Sequence, residues 1–324
     1  MLFLLLFIIS VVLVASWFAY SVAFYSPKRK HATADDLLTG PQYDPVSDHI
    51  FRISHIMQKY PFEEICIQGQ DGTTLYGRYY HNVDHAPIEI LFHGYRSHAF
   101  RDCSGGHALS RKLGINTLVI DQRAQGSSGG KTITFGVLER RDCLSWVQYV
   151  TDRFGRDVPI ILSGLSMGAA TVLMAAGLDL PEQVTCIIAD SPYSEPRAII
   201  EKVARDRNYP VALCRPFLHL GAFLFGKFRL NSCSAKDAVR QCEVPVLLIH
   251  GEEDRLVPCS MSLEIATSCA SRVQVITFPN AGHGLCYITD PIRYEAAISS
   301  FLKSIPSIKD SIRDVLTENN GKDS

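Results

Sequence analysis

Val158-Pro159-Ile160-Ile161-Leu162-Ser163-Gly164-Leu165-Ser166-Met167-Gly168-Ala169-Ala170-Thr171-Val172-Leu173-Met174-Ala175-Ala176 reads as strand, turn and helix in that order. The strand is the short apolar run Val158–Leu162, and the helix is the Ala-rich stretch Met167–Ala176. Between them Gly164-Leu165-Ser166-Met167-Gly168 fits G-x-S-x-G. A strand that turns at once into a helix leaves room only for glycine beside the central residue. That turn would expose the Ser166 hydroxyl at a helix N-terminus, where the dipole favours developing negative charge. A bare G-x-S-x-G arises by chance, and a structural Gly/Ser turn is the competing reading. Strand before, helix after and partners downstream favour a nucleophile.

A serine hydroxyl needs a base. His283 lies in Pro279-Asn280-Ala281-Gly282-His283-Gly284, after the last apolar run, with glycine on either side to let the imidazole reach across. The chain has 11 histidines, so the order Ser…Asp…His carries the assignment. The acid that holds the imidazole tautomer is read as Asp254, in His250-Gly251-Glu252-Glu253-Asp254-Arg255-Leu256-Val257-Pro258. Glu252 and Glu253 are rivals beside it, and Asp190, at the end of Val184–Ala189, is a third. Two backbone N–H groups are needed for an oxyanion. Met167, next to the nucleophile, supplies one, and Tyr95, in His93-Gly94-Tyr95-Arg96, is the candidate for the other. His93 is read as structural.

Strand and helix signals alternate around this stretch. Glu64–Gln68 and Thr74–Tyr80 flank Gln70-Asp71-Gly72 as a hairpin. Six apolar runs follow: Ile88–Phe92, Asn116–Ile120, Pro159–Leu162, Val184–Ala189, Val244–Ile249 and Val273–Phe278. Helical stretches lie near Gly105–Leu113, Val137–Phe154, Met167–Ala176, Met261–Cys269 and Ile292–Ser304. The pattern predicts an α/β fold: a mostly parallel eight-stranded sheet with helices on both faces. About 50 residues, Pro192 to Cys242, separate two of the strands. Their apolar part, Val211–Phe228, is interrupted by Arg215, Pro216, His219 and Lys227 and is too short for a second membrane span. It is read as a helical cap over the carboxyl edge of the sheet, against a packed excursion without a substrate role.

The amino-terminal segment is of another kind. Leu2 to Tyr25 holds no acidic, basic or His side chain. As a helix it would extend about 36 Å, enough for a hydrocarbon core of about 30 Å. Trp17, Tyr20 and Tyr25 cluster at its far end as interfacial aromatics do, and Lys28-Arg29-Lys30 follow. The positive-inside rule then places the domain in the cytoplasm, behind a single-pass anchor in the cell membrane. A cleaved signal peptide is the alternative, but it lacks a basic n-region and its apolar stretch is too long. The expected division is an anchor at 1–26, a juxtamembrane linker and short helix (around Ser47–Lys59) at 27–60, a catalytic domain at 61–306 with the cap near 192–242, and a polar tail at 307–324.

Composition narrows the classes. The 324 residues are 47% hydrophobic, ample for one large core. Lys and Arg number 32 against 33 Asp and Glu, so no net positive field exists to attract nucleic acid. No two of the ten cysteines are spaced C-x-x-C, which removes support for a zinc or thioredoxin reading. Several sit in apolar runs, as Cys186 does, and are read as mostly reduced thiols of a reducing compartment, though the even count leaves disulfides open.

Taken together, His93-Gly94, Asp121-Gln122-Arg123-Ala124-Gln125-Gly126-Ser127, Gly164–Gly168, His250-Gly251…Asp254…Val257-Pro258 and Gly282-His283-Gly284 resemble the α/β-hydrolase superfamily over roughly residues 60–305. Within it the chain is similar to the serine aminopeptidase-like groups, which often carry an amino-terminal membrane anchor. Members often read D-x-R-G-H-G-x-S where this chain has Ala124-Gln125. The departure leaves Ser166, Asp254 and His283 untouched but detaches substrate preference from the resemblance.

The resemblance implies acyl-enzyme chemistry with no metal or organic cofactor. The expected substrate is a small-molecule or lipid-like acyl compound, and no obligate protein partner is evident. Serine at the nucleophile position argues against dehalogenases and epoxide hydrolases, which use Asp, and dienelactone hydrolases, which use Cys. The leading expectation is an esterase for lipophilic (thio)esters. Peptidase-like or acyltransferase chemistry on the same triad is the alternative, and a membrane-anchored binding or scaffold protein that keeps only the fold is the rival of another class.

Overall fold

The computed structural model describes residues 1–27 and 42–312. Lys28-Arg29-Lys30, on which the orientation across a membrane rests, lies outside the described residues, as does the end of the tail from 313.

Eight strands form one sheet: β1 (Glu63–Gln68), β2 (Thr74–Tyr80), β3 (Ile88–Phe92), β4 (Asn116–Asp121), β5 (Ile160–Leu165), β6 (Val184–Asp190), β7 (Val246–Gly251) and β8 (Val273–Phe278). Their spatial order is β1-β2-β4-β3-β5-β6-β7-β8. β2 runs antiparallel to both neighbours, and every later pairing is parallel. β5 extends three residues beyond the apolar run that marks it in the sequence. Gly164 looks like a turn residue, yet it pairs with Phe92, so the turn begins only at Ser166.

Helices link the strands: α1 (Leu2–Ala23), α2 (Ser47–Lys59), α3 (Ala99–Asp102), α4 (Ser104–Leu113), α5 (Glu139–Phe154), α6 (Met167–Ala175), α7 (Pro196–Asp206), α8 (Val211–Leu224), α9 (Ala235–Ala238), α10 (Ser260–Ser268), α11 (Cys286–Thr289) and α12 (Pro291–Lys303). Alternation along the central strands feeds two cores. Leu162, Ile187, Ala189, Val246 and Leu248 face one side, with α5 and α6. Ile161, Cys186, Ile188, Leu247 and Ile249 face the other, with α4 and α12. This is why those strands read as continuous apolar runs. Every residue of α6 is buried, which suits a helix apolar on all sides. All ten cysteines are free thiols.

α1 is the one helix among the described residues long and apolar enough to cross a membrane. Its first ten residues are exposed, but its carboxyl end is part of the domain. Phe24 is fully buried, and Tyr20 lies in the same core as β3 and β5. The Tyr20 hydroxyl meets Thr132 Oγ1 at 2.7 Å. The chain then pairs Tyr25 with Thr132 as an antiparallel bridge. Tyr20, one of the aromatics expected at a membrane interface, is therefore packed inside protein.

Candidate active site

The carboxyl ends of the strands collect the residues singled out by sequence. Ser166 follows β5 with φ 56° and ψ −114°, outside ordinary helical or extended geometry. Its backbone N–H donates to Asp190 O at 2.8 Å, which holds the turn to the end of β6. The turn is tight enough that a Cβ on Gly168 would lie 2.0 Å from Phe92 O, so only glycine fits.

His283, in the loop after β8, reaches back across the sheet edge. Its Nε2 lies 2.9 Å from Ser166 Oγ and its Nδ1 lies 2.6 Å from Asp254 Oδ2. Carboxylate oxygen only accepts, so Nδ1 carries the proton and Nε2 presents its lone pair to the hydroxyl. The structure thus brings Ser166, His283 and Asp254 into one hydrogen-bonded line. Asp254 is held rigidly. Its Oδ1 accepts from the N–H groups of Leu256 (2.9 Å) and Val257 (2.8 Å). Burial pushes its carboxyl up, but hydrogen bonds from His250 and His283 outweigh that and hold it well below the usual aspartate range.

The rivals fall elsewhere. Asp190 accepts from Tyr294 Oη (3.1 Å) and Ser191 Oγ (2.8 Å) rather than from His283, and burial raises its pKa. Glu252 accepts from Thr277 Oγ1 at 2.7 Å, and Glu253 is exposed.

Sequence reasoning passed over His250. Its Nε2 lies 2.8 Å from Val257 O and 3.3 Å from Asp254 Oδ2, while Nδ1 meets Ser262 Oγ at 2.7 Å. Both Nε2 neighbours are acceptors, so Nε2 bears a proton and His250 backs the carboxylate from behind. The only sequence signal was its place beside Gly251 and four residues before Asp254.

The loop after β3 closes the opposite wall. Gly94 N–H donates to Asp102 Oδ2 at 2.8 Å. Asp102 is buried, which would raise its pKa, yet the Arg101 guanidinium 3.0 Å away and the Ser97 and Gly94 hydrogen bonds hold it down at about 2. His93 is buried and bonds to Gly94 O and Gln122 N, which fixes the loop; burial pushes its pKa down. Tyr95 lines the cavity with Ser166, and Met167 opens α6 on the other side. Tyr95 Oη donates to Ala23 O at 2.7 Å, and Arg96 Nη2 donates to Val22 O (2.9 Å) and Tyr25 O (3.1 Å). Val22 O and Ala23 O are terminal carbonyls of α1, which lack partners within the helix.

Above the serine lies a cavity of about 220 Å³. Its apolar wall includes Ile50, Ile53, Leu256, Leu285 and Ile288. The expected cap is corrected here: none of the lining residues comes from 192–242. The cover is instead the juxtamembrane segment, with Tyr43, Ile50 and Ile53 facing the cavity. Tyr43 Oη donates to His283 O at 3.3 Å, and burial, with Asp102 and Asp254 nearby, raises its pKa to about 12. α8 packs against α1 instead, because its apolar face matches that helix and not the strand ends.

A family model described as the alpha/beta hydrolase family matches residues 90–297. The chain belongs to the alpha/beta hydrolase family. This alpha/beta hydrolase is 26% identical over 217 residues to an uncharacterised protein of Bacillus subtilis, covering 67% of this chain and 71% of that one. It is 24% identical over 241 residues to a monoacylglycerol lipase of Mycolicibacterium smegmatis, covering 62% and 82%. Among solved structures, a Pyrococcus furiosus esterase superposes with a TM-score of 0.61 at 22% identity, covering 85% of this chain and 99% of that one. That likeness speaks to the fold, whose mostly parallel eight-stranded sheet is the one this alpha/beta hydrolase has.

Proposed function

We propose that this hydrolase is a membrane-anchored serine esterase that cleaves carboxylic esters or thioesters of lipophilic acyl groups. The observation that carries the reading is the line from Ser166 Oγ through His283 to Asp254, at 2.9 and 2.6 Å, beneath an apolar cavity. Ser166 Oγ attacks the acyl carbonyl as His283 Nε2 takes its proton. The oxyanion rests on the N–H groups of Met167 and Tyr95. His283 then gives the proton to the departing alcohol or thiol, leaving the acyl group on Ser166. A water enters, loses a proton to His283 and attacks the acyl carbon, which releases the acid and restores the serine. Asp254 keeps the imidazole oriented and stabilises the imidazolium.

Three features support a lipophilic substrate. The cavity wall is aliphatic. α1 fits a bilayer, with the domain then on the cytoplasmic side by the basic residues that follow. One relative is a lipase for monoacylglycerols. Fluorophosphonate labelling of the full-length protein in detergent tests the core assignment. Wild type should label and Ser166→Ala should not; equal labelling would remove Ser166 as nucleophile. A panel of p-nitrophenyl esters then sorts chain length, and folded protein without turnover on any of them would favour a binding role.

A further inference from the structure

Two of the free thiols meet at the two ends of the segment that carries Asp254. Cys242 closes the turn Val239–Gln241 that leads into β7, and Cys269 closes α10. One carbonyl joins the two chains: Val239 O accepts from Cys242 N–H at 3.1 Å and from Ala270 N–H at 3.0 Å. The side chains then form a ring. Cys242 Sγ lies 3.2 Å from Val244 O, Ser271 Oγ donates to the same oxygen at 2.6 Å, and Cys269 Sγ lies 3.4 Å from Ser271 Oγ. The two thiols close the ring with a hydrogen bond of their own, Cys242 donating to the Cys269 sulfur. Two side chains in contact, on backbones that share one acceptor, have the approach a disulfide needs.

The pair is unequal. Cys242 is 3% exposed, whereas Cys269 is half-buried. The bond from Cys242, and Ser271 after it, hold the Cys269 thiol below its ordinary range, so Cys269 is the thiolate of the pair. The same bond, together with burial, pushes Cys242 up. Burial also pushes up Cys103, Cys143 and Cys186, which keeps those thiols inert. An accessible thiolate with a resolving thiol behind it is the arrangement of a redox site.

We propose that Cys242 and Cys269 form a reversible disulfide site that is oxidised by hydrogen peroxide. The Cys269 thiolate attacks one peroxide oxygen, the O–O bond breaks and hydroxide leaves. The sulfur is then a sulfenic acid and has lost two electrons to the peroxide. Cys242 gives its proton to that hydroxide, and its sulfur attacks the sulfenic sulfur. The S–S bond forms as the S–O bond breaks, and a second hydroxide leaves and takes a proton from solvent. Two thiols and one peroxide thus become one disulfide and two waters. A small dithiol reverses the step by exchange. The bridge closes a covalent loop around β7, Asp254 and α10. α10 carries Ser262, whose Oγ meets His250 Nδ1 at 2.7 Å behind Asp254. Oxidation therefore pins the segment that presents Asp254.

The test treats full-length protein in detergent with hydrogen peroxide, blocks remaining thiols with N-ethylmaleimide and digests with trypsin. The expected product is the peptide Gln241–Arg255 joined to Leu256–Arg272, with fragmentation placing the bridge at Cys269 rather than Cys259. It should exceed any other bridge at least about tenfold and disappear with dithiothreitol. Cys242→Ser should remove the bridge and leave Cys269 as a sulfenic acid that dimedone captures. Bridging should raise Tm by about 5 °C or more in wild type, and peroxide should not raise it in Cys242→Ser. Maleimide labelling of Cys242 and Cys269 undiminished by peroxide would overturn the proposal. So would a bridge through Cys259, or dimedone in Cys242→Ser on exposed Cys66 and not on Cys269. A bridge with no rise in Tm would overturn the pinning of the Asp254 segment.

Discussion

The Tyr95 hydroxyl donates to Ala23 O at 2.7 Å, so the loop proposed to hold an oxyanion donor also closes the carboxyl end of α1. The loop after β3 and the end of α1 are one mechanical unit. Tyr95→Phe keeps the backbone N–H but removes the Tyr95 hydrogen bond to the end of α1, leaving those of Arg96. With about 1 kcal/mol lost for one net hydrogen bond, kcat should fall about fivefold with KM nearly unchanged. Steady-state kinetics on a soluble ester checks this; an unchanged kcat would detach α1 from catalysis.

His250→Ala removes the N–H donor behind Asp254. His283 keeps its partner, but the carboxylate loses one of its fixed contacts. kcat should drop about tenfold, the size of effect seen when a supporting charged hydrogen bond is lost. Fluorophosphonate labelling should slow in proportion, and His250→Gln, which can donate to the same acceptors, should recover part of the loss.

Ile53→Trp fills cavity space over the serine from α2. The preferred acyl chain of p-nitrophenyl esters should shorten by several carbons, while turnover of the acetate stays within about threefold. An unchanged chain-length profile would show that residues 42–59 do not shape the substrate site.

Gly168→Ala places a methyl 2.0 Å from Phe92 O, in a contact between two backbones that cannot yield. The loss should reach at least about 3 kcal/mol, at the upper end for overpacking. Thermal denaturation should show a large drop in Tm or no folded protein, and a wild-type melting curve would contradict the turn geometry.

Asp102 has a folded pKa of about 2 against an ordinary 3.8. Its stabilisation is complete above about pH 4 and is lost as the pH falls through 2, a contribution of about 2 kcal/mol. Asp102→Asn should therefore lower Tm by several degrees at pH 7, and the gap to wild type should close towards pH 2. A gap that stays constant with pH would show that the charge contributes nothing.

The sheet and the hydrogen-bonded line from Ser166 to Asp254 were legible because each rests on local signals. Continuous apolar runs mark strands covered on both faces, and G-x-S-x-G needs only its own neighbours to define a turn. Ser166, His283 and Asp254 come from strand ends whose order the fold fixes. What covers the cavity was not legible. The sequence marks Ser47–Lys59 as a short helix, but its docking on the strand ends depends on contacts with α3 and α4 that no local pattern encodes. α8 misled for the converse reason: its apolar face signals a partner without saying which, and the partner is α1. His250 was passed over because a buried histidine beside a strand end looks like core until its neighbours are known.

Ser26 N–H donates to Lys131 O and Ile133 N–H to Phe24 O, so the chain leaves α1 already stitched to the domain. With α1 in a bilayer, the enzyme has no rope with which to reach into the surrounding solution. An esterase so seated, as proposed, meets esters by lateral diffusion, and its rate should follow their mole fraction in the surface rather than their bulk molarity. Diluting the ester with inert lipid at constant total substrate should slow turnover, as it would not for an enzyme on a free tether.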